Sequence, residues 1–137
     1  MSAQEETSRA EVERANAAFY AAIEQADVDA MSRVWDDQRP ADVTCVHPGW
    51  PPVHGRRSVL HSWAAILAGT ESLQFLLTDV RVAVEGDTAV VTCTENVLTA
   101  GDAGAAAATN VYRRRSGGWR LQVHHAGPLP PQDDDDG

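Results

Sequence analysis

The spacing of apolar residues changes period once along this chain, and that change divides it in two. Between Ser8 and Gln25, Val12, Ala15, Phe19 and Ile23 recur at three- and four-residue steps with acids and arginines between them, which predicts an amphipathic helix. Residues 1–7 read as a flexible N-terminus. Asp27 is placed to cap a shorter helix whose apolar face is Ala30, Met31, Val34 and Trp35, and Pro40 closes that unit. The run "DVTCVHP" predicts a short strand ended by Pro48. A third helix is expected from about Ser58 to Leu67, with Val59, Leu60, Trp63 and Ile66 on one side and Gly69 as its stop.

Beyond that helix the period is two. "LQFLLTDVRVAVEGDTAVVTCTENVLT" predicts two strands joined at Glu85-Gly86-Asp87, and "AAAATNVYRRRSGGWRLQVHHAG" a second hairpin turning at Ser116-Gly117-Gly118. The order is helix, helix, strand, helix, then four long antiparallel strands. The expected fold class is therefore α+β: three helices packed on a strongly curved, mostly antiparallel sheet that forms a cone with an internal pocket. Residues 8–129 form one domain, and 130–137 are expected to be a disordered acidic tail.

Composition narrows the partners more than the fold. The 137 residues carry a net charge of −9, four of those charges lying in Asp133–Asp136. An acidic body argues against nucleic acid, whose phosphates require a basic stripe. The basic run Arg113-Arg114-Arg115 reads as solvated charge beside a turn or, less commonly, as an anion contact. No apolar run is long enough to span a membrane, and the acidic start does not resemble a signal peptide, so a cytoplasmic protein without membrane partners is expected. Cys45 and Cys93 sit in separate strand-like runs and read as two small buried thiols, with no zinc-type spacing.

The densest chemistry lies in "HPGWPPVHG", His47 to Gly55. It is a metal clip, a plain turn, or a stiff loop presenting His47 and Trp50 to a pocket. A metal would require three or four convergent ligands. His47, His54 and His125 are the available set, but His54 lies beyond two prolines, so no metal is expected. His47 is suited to general-base work because a neutral imidazole takes a proton near working pH. Pro48 stiffens the backbone behind it.

This element order, with "CVHPGWPPVHG" and "TNVYRRRSGGWRLQVHHAGP", resembles the nuclear-transport-factor-2-like superfamily and its SnoaL-like branch, over about Glu11 to Leu129. The resemblance implies the cone fold and an association into homodimers. Ketosteroid isomerases of the same superfamily offer a residue comparison through "FYAAIEQADVDAMSRVW". Their tyrosine oxyanion donor falls on Phe19, beside Tyr20. Their catalytic aspartate falls on His47, and their protonated oxyanion-hole aspartate on Asn110. The implied activity is an isomerisation or cyclisation by proton transfer on an aromatic or polycyclic carbonyl compound, with His47 as base, Asn110 steadying the oxyanion, and no cofactor. The alternative is a non-catalytic module that binds a small apolar molecule or makes protein contacts.

The other candidate residues follow from strand alternation and aromatic content. Tyr112 shares the face of Asn110. His124 and His125 face opposite sides. A two-residue turn at Ser116-Gly117 groups Asn110 with Trp119, Leu121, Val123 and His125, whereas a four-residue loop groups it with Gln122 and His124. The apolar series favours His125 for the pocket, with His124 kept open. Trp50 and Trp63 are candidate aromatic walls for a flat ligand, and Trp119 reads as a structural plug. Glu95 and Asn96 occupy opposite faces, and which of them is buried is left open.

Overall fold

The computed structural model describes residues 2–131. Helix α1 spans Ala3–Glu24, α2 Val28–Val34 and α3 Arg56–Gly69. Strands β1 (Thr44–Val46) and β2 (Val53–His54) precede α3, and β3 (Gln74–Glu85), β4 (Thr88–Thr99), β5 (Asp102–Arg115) and β6 (Gly118–Pro128) follow it. The sheet runs β2-β1-β6-β5-β4-β3. Every neighbouring pair is antiparallel except β1–β6, which is parallel. Three helices on a six-stranded, unclosed mixed sheet make the expected α+β cone.

Two expectations at the N-terminus and in the loop change. Residues 3–7 are helical, because Ser2 accepts a bond from the Glu5 backbone N–H at 3.1 Å and its own hydroxyl meets the Glu5 carboxyl at 3.3 Å. This Ser-x-x-Glu box, with Glu5 and Glu6 in the first turn, starts the helix five residues before Ser8. The loop after His47 returns to the sheet as β2, pairing Cys45 with Val53 and Thr44 with His54. The expected acidic tail lies, from residue 132 onward, outside the described residues.

The core forms where α1, α2 and α3 meet the concave face. Val12, Phe19, Val43, Val59, Val91, Tyr112 and Leu121 have no exposed surface. Arg56 fastens the end of α2 by donating to the carbonyls of Ser32 and Trp35 at 2.9 and 2.8 Å, which satisfies acceptors that a helix terminus leaves open. Cys45 and Cys93 are buried free thiols.

One irregularity decides which residues face inward. The β5–β6 hairpin has the two-residue turn, Arg115 pairing with Gly118, but the register then shifts between Val111 and Tyr112. Tyr112 pairs with Leu121 and Val111 with Val123, so Gln122 is the extra residue of a bulge. Trp119 and Leu121 face inward before it, and His124 and Ala126 after it. The bulge exchanges the histidines: Asn110 stands opposite His124, and His125 is exposed on the outer face.

Candidate functional site

Between the end of α1, α3, the loop after β1 and strands β3, β4 and β6 lies a pocket of about 290 Å³. Its wall is apolar, formed by residues such as Ile23, Trp63, Ile66, Phe75 and Val97, with Trp50 at its rim. Three titratable side chains break that wall: His47, Glu95 and His124. All three are almost wholly buried, at 3%, 4% and 2% exposure.

His124 is held by a chain of buried hydrogen bonds that starts on α1. Asn16 Oδ1 accepts from the Tyr112 hydroxyl at 2.8 Å and from Asn110 Nδ2 at 2.9 Å. Asn110 Nδ2 also reaches the Tyr20 hydroxyl oxygen at 3.2 Å. With its amide nitrogen so engaged, Asn110 presents Oδ1 to His124 Nδ1 at 2.6 Å. An amide oxygen only accepts, so His124 carries its proton on Nδ1 and leaves a lone pair on Nε2. That nitrogen lies 3.9 Å from Glu95 Oε2. The Tyr20 hydroxyl donates to the same carboxyl oxygen at 2.6 Å.

Burial sets the charge state of the group. It lowers His124 to about 3, with His47 and His125 adding to the effect, and lowers His47 to about 4. It raises the Glu95 carboxyl above the usual carboxylate range, although the Tyr20 bond opposes the shift. The same desolvation pushes the Cys45 thiol up to about 12. Near neutral pH the polar end of the pocket therefore holds two uncharged imidazoles beside a carboxyl that burial holds above the usual range.

His47 is positioned differently. Ser62 gives its hydroxyl proton to the Val59 carbonyl at 2.7 Å, so its oxygen accepts from His47 Nε2 at 2.9 Å. The imidazole packs edgewise against Trp50 and Trp63, each with its ring centroid 4.7 Å away. Among the described residues the buried Trp63 indole N–H has no hydrogen-bond partner.

The structure thus brings His47, Trp50 and Trp63 of the predicted site together and separates the others from the cavity. Asn110 has no exposed surface, and its amide nitrogen is engaged, so it lies behind His124 rather than as an oxyanion donor in the pocket. Tyr112 anchors Asn16 from the same buried layer. Phe19 backs the site, its ring 5.0 Å from His124 and 5.6 Å from Trp63. His125 is the clearest correction, turned outward by the bulge at Gln122. His54 is exposed and pairs with Thr44, apart from the pocket histidines. Among the described residues no group of three or more His, Cys, Asp or Glu is gathered so as to hold a metal ion.

Glu95 faces inward, whereas Asn96 faces outward and caps the Leu76 carbonyl at 2.8 Å. The signal for this layer was present on α1. Asn16 is a polar residue one turn after Val12 and one turn before Tyr20, inside an otherwise apolar stripe. A buried asparagine there requires partners across the core.

No helix among the described residues is long and apolar enough to cross a membrane. A crystal structure from Streptomyces avermitilis, of a candidate dehydratase from the NTF2-like family, is 48% identical and superposes with a TM-score of 0.87, covering 92% of this chain and 99% of that one. A candidate calcium/calmodulin-dependent protein kinase type II association domain from Thiobacillus denitrificans is 34% identical, with a TM-score of 0.78 over 86% of this chain and 94% of that one. The F-box protein SKIP8 of Arabidopsis thaliana is 28% identical over 111 residues, which are 81% of this chain and 46% of that protein. The chain thus spans about half the length of that curated relative. The family model described as the SnoaL-like domain matches residues 12–130. With the cone, the inward-facing pocket and that match in hand, the chain belongs to the SnoaL-like domain family within the NTF2-like superfamily.

Proposed function

We propose that this protein is a cofactor-independent acid–base enzyme that moves a proton next to the carbonyl of a small aromatic compound, and that the step is the elimination of water from a β-hydroxy ketone. The observation that carries the reading is the pair His124 and Glu95. A neutral imidazole with its free lone pair faces a carboxyl that burial makes a weaker acid than usual, across 3.9 Å at the end of an apolar pocket. The 48% identical relative named as a candidate dehydratase favours elimination over an isomerisation or cyclisation. A volume near 290 Å³ falls at the small end of ligand sites (~300–1,000 Å³), which suits one or two rings rather than a larger polycycle.

In this reading His124 Nε2, a weak base at rest, removes the proton on the carbon next to the carbonyl in concert with proton loss from Glu95, whose developing carboxylate 3.9 Å away supports the imidazolium. The freed electron pair forms the carbon–carbon double bond as the β-hydroxyl departs, protonated to water by the Glu95 carboxyl. The imidazolium then returns its proton to the carboxylate, and both groups are restored. Asn110 acts as a positioning residue that fixes the His124 tautomer. The Trp63 N–H is the donor offered to the carbonyl, and His47, its Nε2 proton held by Ser62, packs beside it as part of the wall.

The test is an elimination assay on a panel of aryl β-hydroxy ketones. Replacing either His124 or Glu95 by Gln should lower kcat by about 10²-fold or more while the circular dichroism spectrum stays unchanged. Variants that keep wild-type turnover would remove the mechanism. Tight binding with no product from the wild type would instead select a non-catalytic binding module, a reading that the 34% identical association-domain relative keeps in view. Homodimerisation through the outer face of the sheet, where Leu76 and Leu98 stay 63% and 48% exposed, belongs to either reading and is checked by light scattering.

A further inference from the structure

A second cavity, of about 660 Å³, shares no lining residue with the pocket. It lies between α1, α2 and the β5–β6 hairpin, and five of the chain's eleven arginines line it: Arg14, Arg33, Arg114, Arg115 and Arg120. In a chain of net charge −9 without a single lysine, so much cationic surface in one cleft calls for an account.

Two of the five are already neutralised. Arg115 grips Asp36 through two bonds of 2.9 and 2.8 Å. Arg114 is divided among Asp87, Glu11 and Ser8 and lies over the Trp119 ring at 4.4 Å. Arg14, Arg33 and Arg120 have no carboxylate within ion-pair distance among the described residues. They project from three different elements: the middle of α1, the last turn of α2 and the start of β6.

Arg120 is not a loose surface side chain. Its guanidinium folds back over the hairpin turn and donates to the Trp119 carbonyl at 3.2 Å. It occupies the space above Gly117, where an added Cβ would come within 2.9 Å of Nη2. The turn glycine therefore makes room for this cation. Small apolar side chains, Ala15, Ala18 and Ala30, complete the lining, and the Glu11 carboxylate at its edge is held by Arg114 at 3.7 Å.

We infer that this cleft is a second ligand site, for a small molecule that carries a phosphate group on an apolar body. Three guanidinium groups from three elements offer separate forks to the three terminal oxygens of a phosphomonoester, whereas a carboxylate is satisfied by one fork. The alanine side chains accept the body of the molecule. The acidic remainder of the surface repels polymeric nucleic acid and leaves a small anion as the occupant.

The test is calorimetric titration of the full chain at low ionic strength with phenyl phosphate, inorganic phosphate and benzoate. Phenyl phosphate should bind saturably with Kd below ~1 mM, inorganic phosphate more weakly, and benzoate about tenfold more weakly or not at all. The double variant Arg14→Gln/Arg33→Gln should lose about tenfold or more in affinity, and Arg120→Gln likewise, while His124→Gln in the pocket changes nothing. Gly117→Ala supplies a readout that charge removal cannot. It alters no charge and meets only the flexible end of Arg120, so it should weaken phenyl phosphate severalfold with an unchanged melting temperature. No saturable binding, binding indifferent to the arginine variants, or benzoate binding as well as phenyl phosphate would each overturn the assignment.

Discussion

Asp36 and Glu95 are both nearly inaccessible carboxylates, at 0% and 4% exposure, yet their surroundings drive them in opposite directions. Burial raises both. At Asp36 the Arg115 fork and the backbone N–H groups of Gln38 and Arg39 outweigh it and hold the carboxyl below its ordinary value. At Glu95 the opposing group is the neutral Tyr20 hydroxyl, and burial wins. Burial alone therefore does not specify a charge state. The partner does, and a carboxylate with a full-strength cation is structural while one with a phenol is available for proton traffic.

The difference is broken most directly by removing each charge in turn. Asp36→Asn leaves Arg115 without its counter-ion at a site only 14% exposed, and should cost about 2–3 kcal/mol in urea unfolding at pH 7, below the upper end for buried pairs because Arg115 keeps some solvent. Glu95→Gln retains an acceptor for Tyr20 and should cost almost nothing. An equal loss at both sites would dissolve the contrast.

A second effect comes from the histidines. The folded state holds His47 near 4 and His124 near 3, while the unfolded chain protonates them near 6.5. Between those values the unfolded chain binds more protons, so stability is complete above pH 6.5 and falls as the pH drops through that window. Glu95 works the other way above 4.5, but it is one group against two. Lowering the pH from 7 to 5 should remove about 2 kcal/mol, and His124→Gln should abolish a large part of that acid sensitivity. Chemical denaturation at the two pH values measures both, and an identical slope for wild type and variant would contradict the buried, neutral imidazole.

What the sequence disclosed follows the same division between local and distant causes. The helices, the four long strands and the two hairpin turns were legible because period and turn chemistry are local. His47, Trp50 and Trp63 were legible as pocket residues because a proline-rich loop and the inner stripe of a helix declare their own facing. His124 was not, since a single bulge residue at Gln122 reverses alternation and no propensity marks it. Glu95 could not be assigned to a face from its own strand, and its buried hydrogen bond is to Tyr20, seventy-five positions away. The start of α1 was missed for a simpler reason: the Ser2–Glu5 box is local, but it precedes the apolar stripe that defined the helix.

A smaller prediction follows from Glu95 itself. In the folded state its carboxyl is raised, in the unfolded chain it ionises near 4.5, so above that value the wild type carries a penalty that a glutamine does not. Glu95→Gln should gain on the wild type as the pH rises from 5 to 7.5, by at most about 1 kcal/mol. A relative stability that moves in the opposite direction would show that Glu95 is ionised in place.

The finest test concerns the bond that sets how far Glu95 is raised. The Tyr20 hydroxyl donates to Oε2 at 2.6 Å and so favours the carboxylate, pulling against desolvation. Tyr20→Phe removes that donor and lets burial act unopposed, so the group titrates higher still. If Glu95 supplies the proton in turnover, the alkaline limb of the kcat profile belongs to it, and Tyr20→Phe should shift that limb upward by roughly half a pH unit to one unit. The acid side should stay flat until the protein unfolds, because His124 remains neutral to about 3. A shift to lower pH would mean that Tyr20 holds the protonated carboxyl rather than the ionised one. An unmoved limb would assign it to another group and leave Glu95 as a spectator in the pocket wall.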